Sequence, residues 1–265
     1  MRGVDRKNLR VVLWLFVFLA IPFNGSDRLC AADFSVVTRL FSSSQTESLG
    51  ENTTLFRGEN VYDLPADGDQ ITFFEGEANQ FILLDTAKKR WTRISTEQLL
   101  AYTAWLKERS LESDDPLLRF CAAPQFEIHS EKQGKWWHFD HPLLGYRVET
   151  DTYEDLEIGR QYRSFSDWYA RLNAMLHSQS LPPFPRLAIN QRLAQEDLLP
   201  RTVRLRISPS SRTGREELTM RSVHQIRPGL SDRDRERLAW IENCRRKFPE
   251  VSLTAYRQQK ATETK

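Results

Sequence analysis

Residues Gln70–Ser95 read QITFFEGEANQFILLDTAKKRWTRIS. Three short apolar runs stand in this stretch: Ile71–Phe74, Phe81–Leu84 and Trp91–Ile94. Glu75-Gly76-Glu77-Ala78-Asn79 and Asp85-Thr86-Ala87-Lys88-Lys89 separate them. Apolar runs of this length between turn-forming residues predict an up-and-down meander of β-strands. A sheet with one wet face alternates apolar and polar residues. Here Ile71 and Phe73 fill one face while Phe74 occupies the other, and Phe81 and Leu83 alternate with Ile82 and Leu84. Both faces are apolar at the strand centres, so each needs a cover. That cover is either the chain's own helices or, on one face, a ligand in an apolar cavity.

Upstream, Thr53–Asp63 predicts a strand, a turn or bulge at Gly58 and a second strand, and Pro65–Asp69 is a turn. Asp33–Glu51 contains the polar stretch Ser42–Ser48 without periodicity, which predicts a flexible lead-in over 33–51. Before it, Met1–Arg10 is basic and Val11–Phe23 is an uninterrupted apolar run. A membrane-spanning helix needs about 20 residues. This shorter run fits the apolar region of a signal peptide over 1–32, with Cys30-Ala31-Ala32 as the small-residue site for cleavage before Asp33. An uncleaved anchor is the alternative. Arg28 and Leu29 before Cys30 do not suit a bacterial lipobox. The expectation is therefore an exported chain, periplasmic or extracellular, with no transmembrane segment after cleavage.

Downstream, Ser95 and Gln98 form a capping-box pattern at the start of a helix, with Leu99, Tyr102, Thr103 and Leu106 along one face. A short helix over Pro116–Ala123 follows, then strands at Gln125–His129, Lys135–Phe139 and Leu144–Glu149. Helices are predicted at Ser164–His177, Arg186–Glu196 and Asp232–Lys247. Strands are predicted at Thr202–Ile207 and Leu218–Ile226 and, shorter, at Val251–Tyr256, before a loose tail over 258–265. Residues 52–257 make one α+β domain, with the hairpin and helix of 201–248 as an addition. One antiparallel sheet of roughly eight to ten strands packs with three or four helices.

Composition excludes some functions. The net charge is +2, with 40% hydrophobic and 28% charged residues, which argues against bulk nucleic-acid binding. Sixteen basic and eight acidic residues nevertheless concentrate in 201–265. Arg204, Arg206 and Arg215 there are candidates for an anionic partner, in the way of a cell-envelope interaction module. No P-loop, GxGxxG or GxSxG pattern is present, and no cofactor is indicated. His138-Phe139-Asp140-His141 is the densest group of potential metal ligands. Its spacing is not HExxH and no third ligand stands at a diagnostic distance, so no metal is predicted. A hydrolase with a site near His138–His141 stays a third possibility. Cys121 and Cys244 remain after export. An oxidising compartment permits a disulfide between them, and two buried thiols are the equal alternative.

The order of parts resembles secreted bacterial proteins of the outer-membrane lipoprotein carrier type. The resemblance rests on Thr54–Asp63, on Ile71–Ile94 with its Leu83-Leu84-Asp85 step, on the helix after Ser95 and on Gly145-Tyr146-Arg147-Val148. Ser166–Asn173 and Pro182–Arg186 are similar to features of an uncharacterised secreted family. The carrier resemblance implies a strongly curved antiparallel sheet, an open half-barrel over helices, whose concave face takes acyl chains. It implies a non-enzymatic binding protein for a lipid or other hydrophobic ligand, with Phe73, Phe74, Phe81, Leu83 and Trp91 as lining residues. The extra C-terminal hairpin and helix depart from a minimal carrier and are placed to plug such a cavity.

Overall fold

The computed structural model describes residues 32–42, 46–153, 155–177, 179–208 and 217–258. The strands are β1 Phe34–Ser42, β2 Gly50–Arg57, β3 Asn60–Pro65, β4 Gln70–Glu75, β5 Gln80–Asp85, β6 Arg90–Ser95, β7 Glu127–Glu131, β8 Trp136–Asp140, β9 Leu144–Thr152, β10 Leu198–Ile207 and β11 Leu218–Pro228. The helices are α1 Thr96–Leu111, α2 Pro116–Ala122, α3 Leu156–Leu176, α4 Phe184–Ala194, α5 Asp232–Lys247 and α6 Leu253–Gln258. All eleven strands join one antiparallel sheet in the order β6-β5-β4-β3-β2-β1-β11-β10-β9-β8-β7. The sheet is open, with β6 and β7 as its edges. Two meanders, β1–β6 and β7–β11, meet where β11 pairs with β1. The described residues belong to one compact unit, an α+β fold, and among them no helix is long and apolar enough to cross a membrane. The proposed signal segment lies outside the described residues, as do Arg215 and most of the tail.

Local chemistry sets the helix starts. Ser95 Oγ accepts from Gln98 N, and Gln98 Oε1 accepts from Ser95 N, closing the capping box of α1. Ser231 and Asp234 do the same for α5. Asp155 caps α3 through Glu157 N, so the acidic run ahead of the expected helix is in part its N-terminus, and α3 begins eight residues before Ser164.

Both faces of the meander are covered by protein. Phe34, Val36, Phe56, Val61, Phe74, Phe81, Leu83 and Ile94 pack with Ile158, Tyr162, Phe165 and Leu172 of α3 and Leu99 of α1. We call this the α3 face. Leu55, Tyr62, Leu64, Ile71, Phe73, Ile82 and Leu84 pack with Leu238, Ile241 and Cys244 of α5, forming the α5 face. Helices α1 and α3 thus share one face, and the C-terminal helix α5 takes the other. A third cluster sets Trp137, Phe139, Val148 and Val203 against Ile189 and Leu193 of α4.

Three expectations are corrected. Phe34–Ser42 is no lead-in but a central strand between β2 and β11. Phe34 and Val36 point into the α3 face and Val37 is buried on the other, so the strand carries apolar residues on both sides. The serine-rich composition that suggested a linker starts only at its end. Val251–Tyr256 forms no strand: Glu250 makes a single parallel bridge to Trp91, and α6 follows. Trp91 N donates to Pro249 O at 3.1 Å and Val251 N to Trp91 O at 2.8 Å, which partly satisfies the β6 edge. The eleven strands and six helices also outnumber the expected eight to ten strands and three or four helices; the short helix at Pro116–Ala122 is present as expected, whereas β1 and α6 stand where a lead-in and a strand were expected.

Candidate functional site

The α3 face is not uniformly apolar. Strand register sets His224, Thr38 and Asn52 abreast on β11, β1 and β2. The next row holds Thr54, Asp63 and Thr72 on β2, β3 and β4. Side chains alternate along a strand, so both polar rows share the phase of the core residues Phe56, Val61 and Phe74 and face α3.

Asp63 is 5% exposed. Its carboxylate accepts from Thr54 Oγ1 at 2.8 Å, Asn52 Nδ2 at 3.0 Å and the Tyr169 hydroxyl at 2.8 Å. Burial raises its pKa above the ordinary aspartate value despite these three donors. Burial and the neighbouring carboxylate together hold the Tyr169 phenol well above its usual range. His224 Nδ1 lies 3.1 Å from Thr38 Oγ1 and 3.3 Å from the Tyr162 hydroxyl, and its Nε2 lies 2.9 Å from Ser222 Oγ. Desolvation, reinforced by the Arg186 guanidinium, pulls the imidazole down to about 3. His224 is thus neutral at physiological pH and serves as a hydrogen-bonding group.

Two hollows meet at these residues. The inner one, about 240 Å³, is lined by Thr38, Asp63, Tyr162, Tyr169, Arg186 and His224, among others. The outer one, about 750 Å³, has a mixed wall: Ile71, Leu83, Leu172, Met175 and Leu176 form an apolar stretch, and Asp67, Asp69, Gln70 and His177 stand among them. Asn52, Asp63, Tyr169 and Asn173 line both, so the polar chamber adjoins a wider cleft of mixed lining between sheet and α3. A third hollow of about 330 Å³ opens between α3, α4 and the start of β10 and shares Tyr162 as a wall.

Arg186 is the exceptional group. It is half-buried, lines the inner chamber and makes no hydrogen bond or ion pair among the described residues. It also lies in the first turn of α4, where the helix dipole disfavours a cation. Partial burial of a guanidinium without an anion carries a cost, and a bound anion would relieve it.

The residues expected to line a ligand site are not brought together. Phe73 and Trp91 lie on the α5 face. Phe73 stacks on Tyr62 with centroids 5.2 Å apart, and Trp91 Nε1 donates to Phe248 O at 3.1 Å. Phe74 and Phe81 lie on the α3 face, 4.9 Å apart and buried. Of the five, Leu83 alone is among the residues lining the outer cleft. A single cavity cannot collect neighbours in sequence such as Phe73 and Phe74, because the pleat sends them to opposite sides.

Of the two alternatives for the cysteines, a disulfide or two buried thiols, the structure has the thiols. Cys121 and Cys244 are free and buried. Cys244 packs on the α5 face, whereas Cys121 is on α2, which packs with α1 and α4 on the opposite side. Arg204 and Arg206 do project from the sheet as expected, on the side away from α4. Arg147, Arg204 and Arg221 stand abreast there. Arg206 donates to the carbonyl of His141 at 3.0 Å, and Gly145 lets it lie close across β9, since a Cβ there would meet its guanidinium at 3.1 Å.

Sequence reasoning missed Asp63, Arg186, His224, Tyr162 and Tyr169. The available signal was polar residues in the phase of core aromatics: Asn52 and Thr54 before Phe56, Asp63 after Val61, Thr72 before Phe74. No protein-family model matches this chain, and no curated protein matches it.

Proposed function

We propose that this chain is an exported, non-enzymatic binding protein for an amphipathic anion, a molecule with an acyl or similar apolar body and a carboxylate or phosphate head. The observation that carries this reading is Arg186, a half-buried guanidinium with no anion of its own among the described residues, facing a polar chamber that adjoins a cleft with an apolar stretch. The apolar body lies along Leu83, Leu172 and Met175, and the head reaches Arg186, with Tyr162 and His224 offering polar atoms beside it. Asp63, already holding three donors, shapes the chamber rather than taking the anion. On this reading the sheet bends around α3 as an open half-barrel, as the carrier resemblance implies. The basic and apolar segments at Met1–Phe23 support export.

The test is displacement of a fluorescent fatty-acid probe from purified protein, together with mass spectrometry of an organic extract. Binding that weakens at least about tenfold in Arg186→Gln, the scale of a lost charge-assisted hydrogen bond, supports the proposal. Absence of probe binding, or equal affinity in the variant, refutes it.

A second reading rests on the sheet side away from α4, which bears the exposed Arg147 and Arg204 with Arg206 and Arg221 partly exposed: a docking face for an acidic envelope protein. Salt-sensitive capture of an acidic partner, abolished by Arg204→Glu with Arg206→Glu, would favour it.

A further inference from the structure

The edge hairpin β7–β8 carries a ligand set that neither strand holds alone. Its turn passes through Lys132, Gln133 and Gly134, with φ of 51°, 58° and 85°. The register places His129 opposite His138 and Glu127 opposite Asp140. Residues two apart share a strand face, so His129, His138 and Asp140 project together. One nitrogen from each imidazole and one Asp140 oxygen all lie within 4.8 Å of one another. The two rings stack with centroids 4.4 Å apart and planes 10° apart. His129 Nδ1 is 3.7 Å from Asp140 Oδ2, and His138 Nε2 is 3.4 Å from Glu131 Oε1. His138 Nε2 is buried and lacks a hydrogen-bond partner of good geometry. His141 does not join them: its ring stacks on Phe120 at 3.8 Å.

We propose that His129, His138 and Asp140 bind a divalent transition-metal ion, zinc foremost. Two imidazoles and a carboxylate are donors that suit zinc and select against calcium and magnesium, which prefer all-oxygen shells. Zinc–nitrogen and zinc–oxygen bonds of about 2.0–2.2 Å require the ligand atoms to close in by roughly 1–1.5 Å. The exposed His129 side chain has the freedom to make that move. Glu131 stands ready as a fourth ligand or as the carboxylate that orients His138. Arg147, opposite His138 on β9, is a cation facing the group. Its guanidinium is drawn over the Trp136 ring at 4.7 Å and toward Glu131 at 4.0 Å. The metal would tie the edge strand β7 to its neighbour β8 through side chains as well as backbone. It does not depend on the ligand cleft, which lies on the other side of the sheet.

The experiment is isothermal titration of chelator-treated full-length protein with zinc chloride, with cobalt substitution read by visible absorption. One equivalent of zinc should bind, cobalt should give the strong visible bands of a four-coordinate site, and magnesium should give no heat. His129→Ala and Asp140→Asn, both on the surface, should weaken zinc by at least about 10- to 100-fold, the range that even supporting groups around a metal command. His141→Ala should leave it unchanged. No zinc binding in the wild-type protein, or binding that survives both ligand substitutions, overturns the proposal. Circular dichroism of each variant establishes that a lost signal is not lost folding.

Discussion

Leu238 of α5 tests whether the second apolar face of the meander is closed by the protein itself. Leu238 and Ile241 are both 0% exposed and pack against Leu55, Tyr62, Phe73 and Ile82. Leu238→Ala removes three carbons. At about 0.8 kcal/mol per buried methylene the transfer loss is about 2.4 kcal/mol. The cavity left behind brings the cost to about 3–5 kcal/mol, because a close-packed sheet and helix relax only in part. For a domain of this size each kcal/mol lowers Tm by about 2–4 °C, so a fall of roughly 6–20 °C is expected. Urea unfolding followed by fluorescence measures the free energy, and calorimetry the Tm. Trp240, on the same helix but 49% exposed, is the control: Trp240→Ala should stay within about 0.5 kcal/mol. A cost below about 1 kcal/mol for Leu238→Ala, well under the range for a filled core site, would refute the docking of α5. The α5 face would then be free for another occupant.

Other measurements bear on the remaining structure. His224 has a folded pKa of about 3 against an ordinary value of 6.5, so the unfolded chain takes up its proton first. Its contribution is present above pH 6.5 and is lost as pH falls toward 3, with a limiting slope of about 1.4 kcal/mol per pH unit. Between pH 7 and 5 the wild type should lose up to about 2 kcal/mol more than His224→Gln. Asp63, whose folded pKa is raised, acts in the opposite sense by losing stability as pH rises, so the difference between the two proteins isolates the histidine. Equal pH profiles would contradict the buried neutral imidazole. Burial pushes the Cys121 thiol up to about 12, so Cys121 and Cys244 should react with a thiol reagent only on unfolding. A Tm that drops when a reductant is added would reveal a disulfide instead. Ser95→Ala opens the capping box of α1 and should cost about 1 kcal/mol in urea unfolding; no change would mean water replaces the cap without loss.

The polar chamber was hard to see for a physical reason. In β3 the order Val61, Tyr62, Asp63, Leu64 alternates, but both phases hold large apolar residues, so alternation could not say whether Asp63 faced water or core. Its three donors come from β2 and α3, and none is a neighbour in sequence. Arg186 read as the first residue of a helix because the connector before it is proline-rich. In the structure it lies within the first turn and faces β11. His129 and His138 are nine residues apart and gained meaning only when the turn at Gln133-Gly134 fixed their register. His138 and Asp140 share a face by strand alternation, and His141 lies just past the end of β8.

Local chemistry in the sequence determined the meander at Gln70–Ser95, its capped helix and the demand for a cover on both faces. Each of these rests on interactions between residues close in the chain: pleat alternation, turn composition and side-chain capping. Tertiary structure decided which cover goes where. Hydrophobicity is non-directional, so the apolar stripes of α1, α3 and α5 are equally suited to either face. The connections decided the matter, placing α1 and α3 on one side and sending α5 back across the other after β11 had paired with β1. That same closure put Arg186 and His224 beside Asp63, from segments separated by more than a hundred residues, and turned a face that reads as core into one holding a chamber.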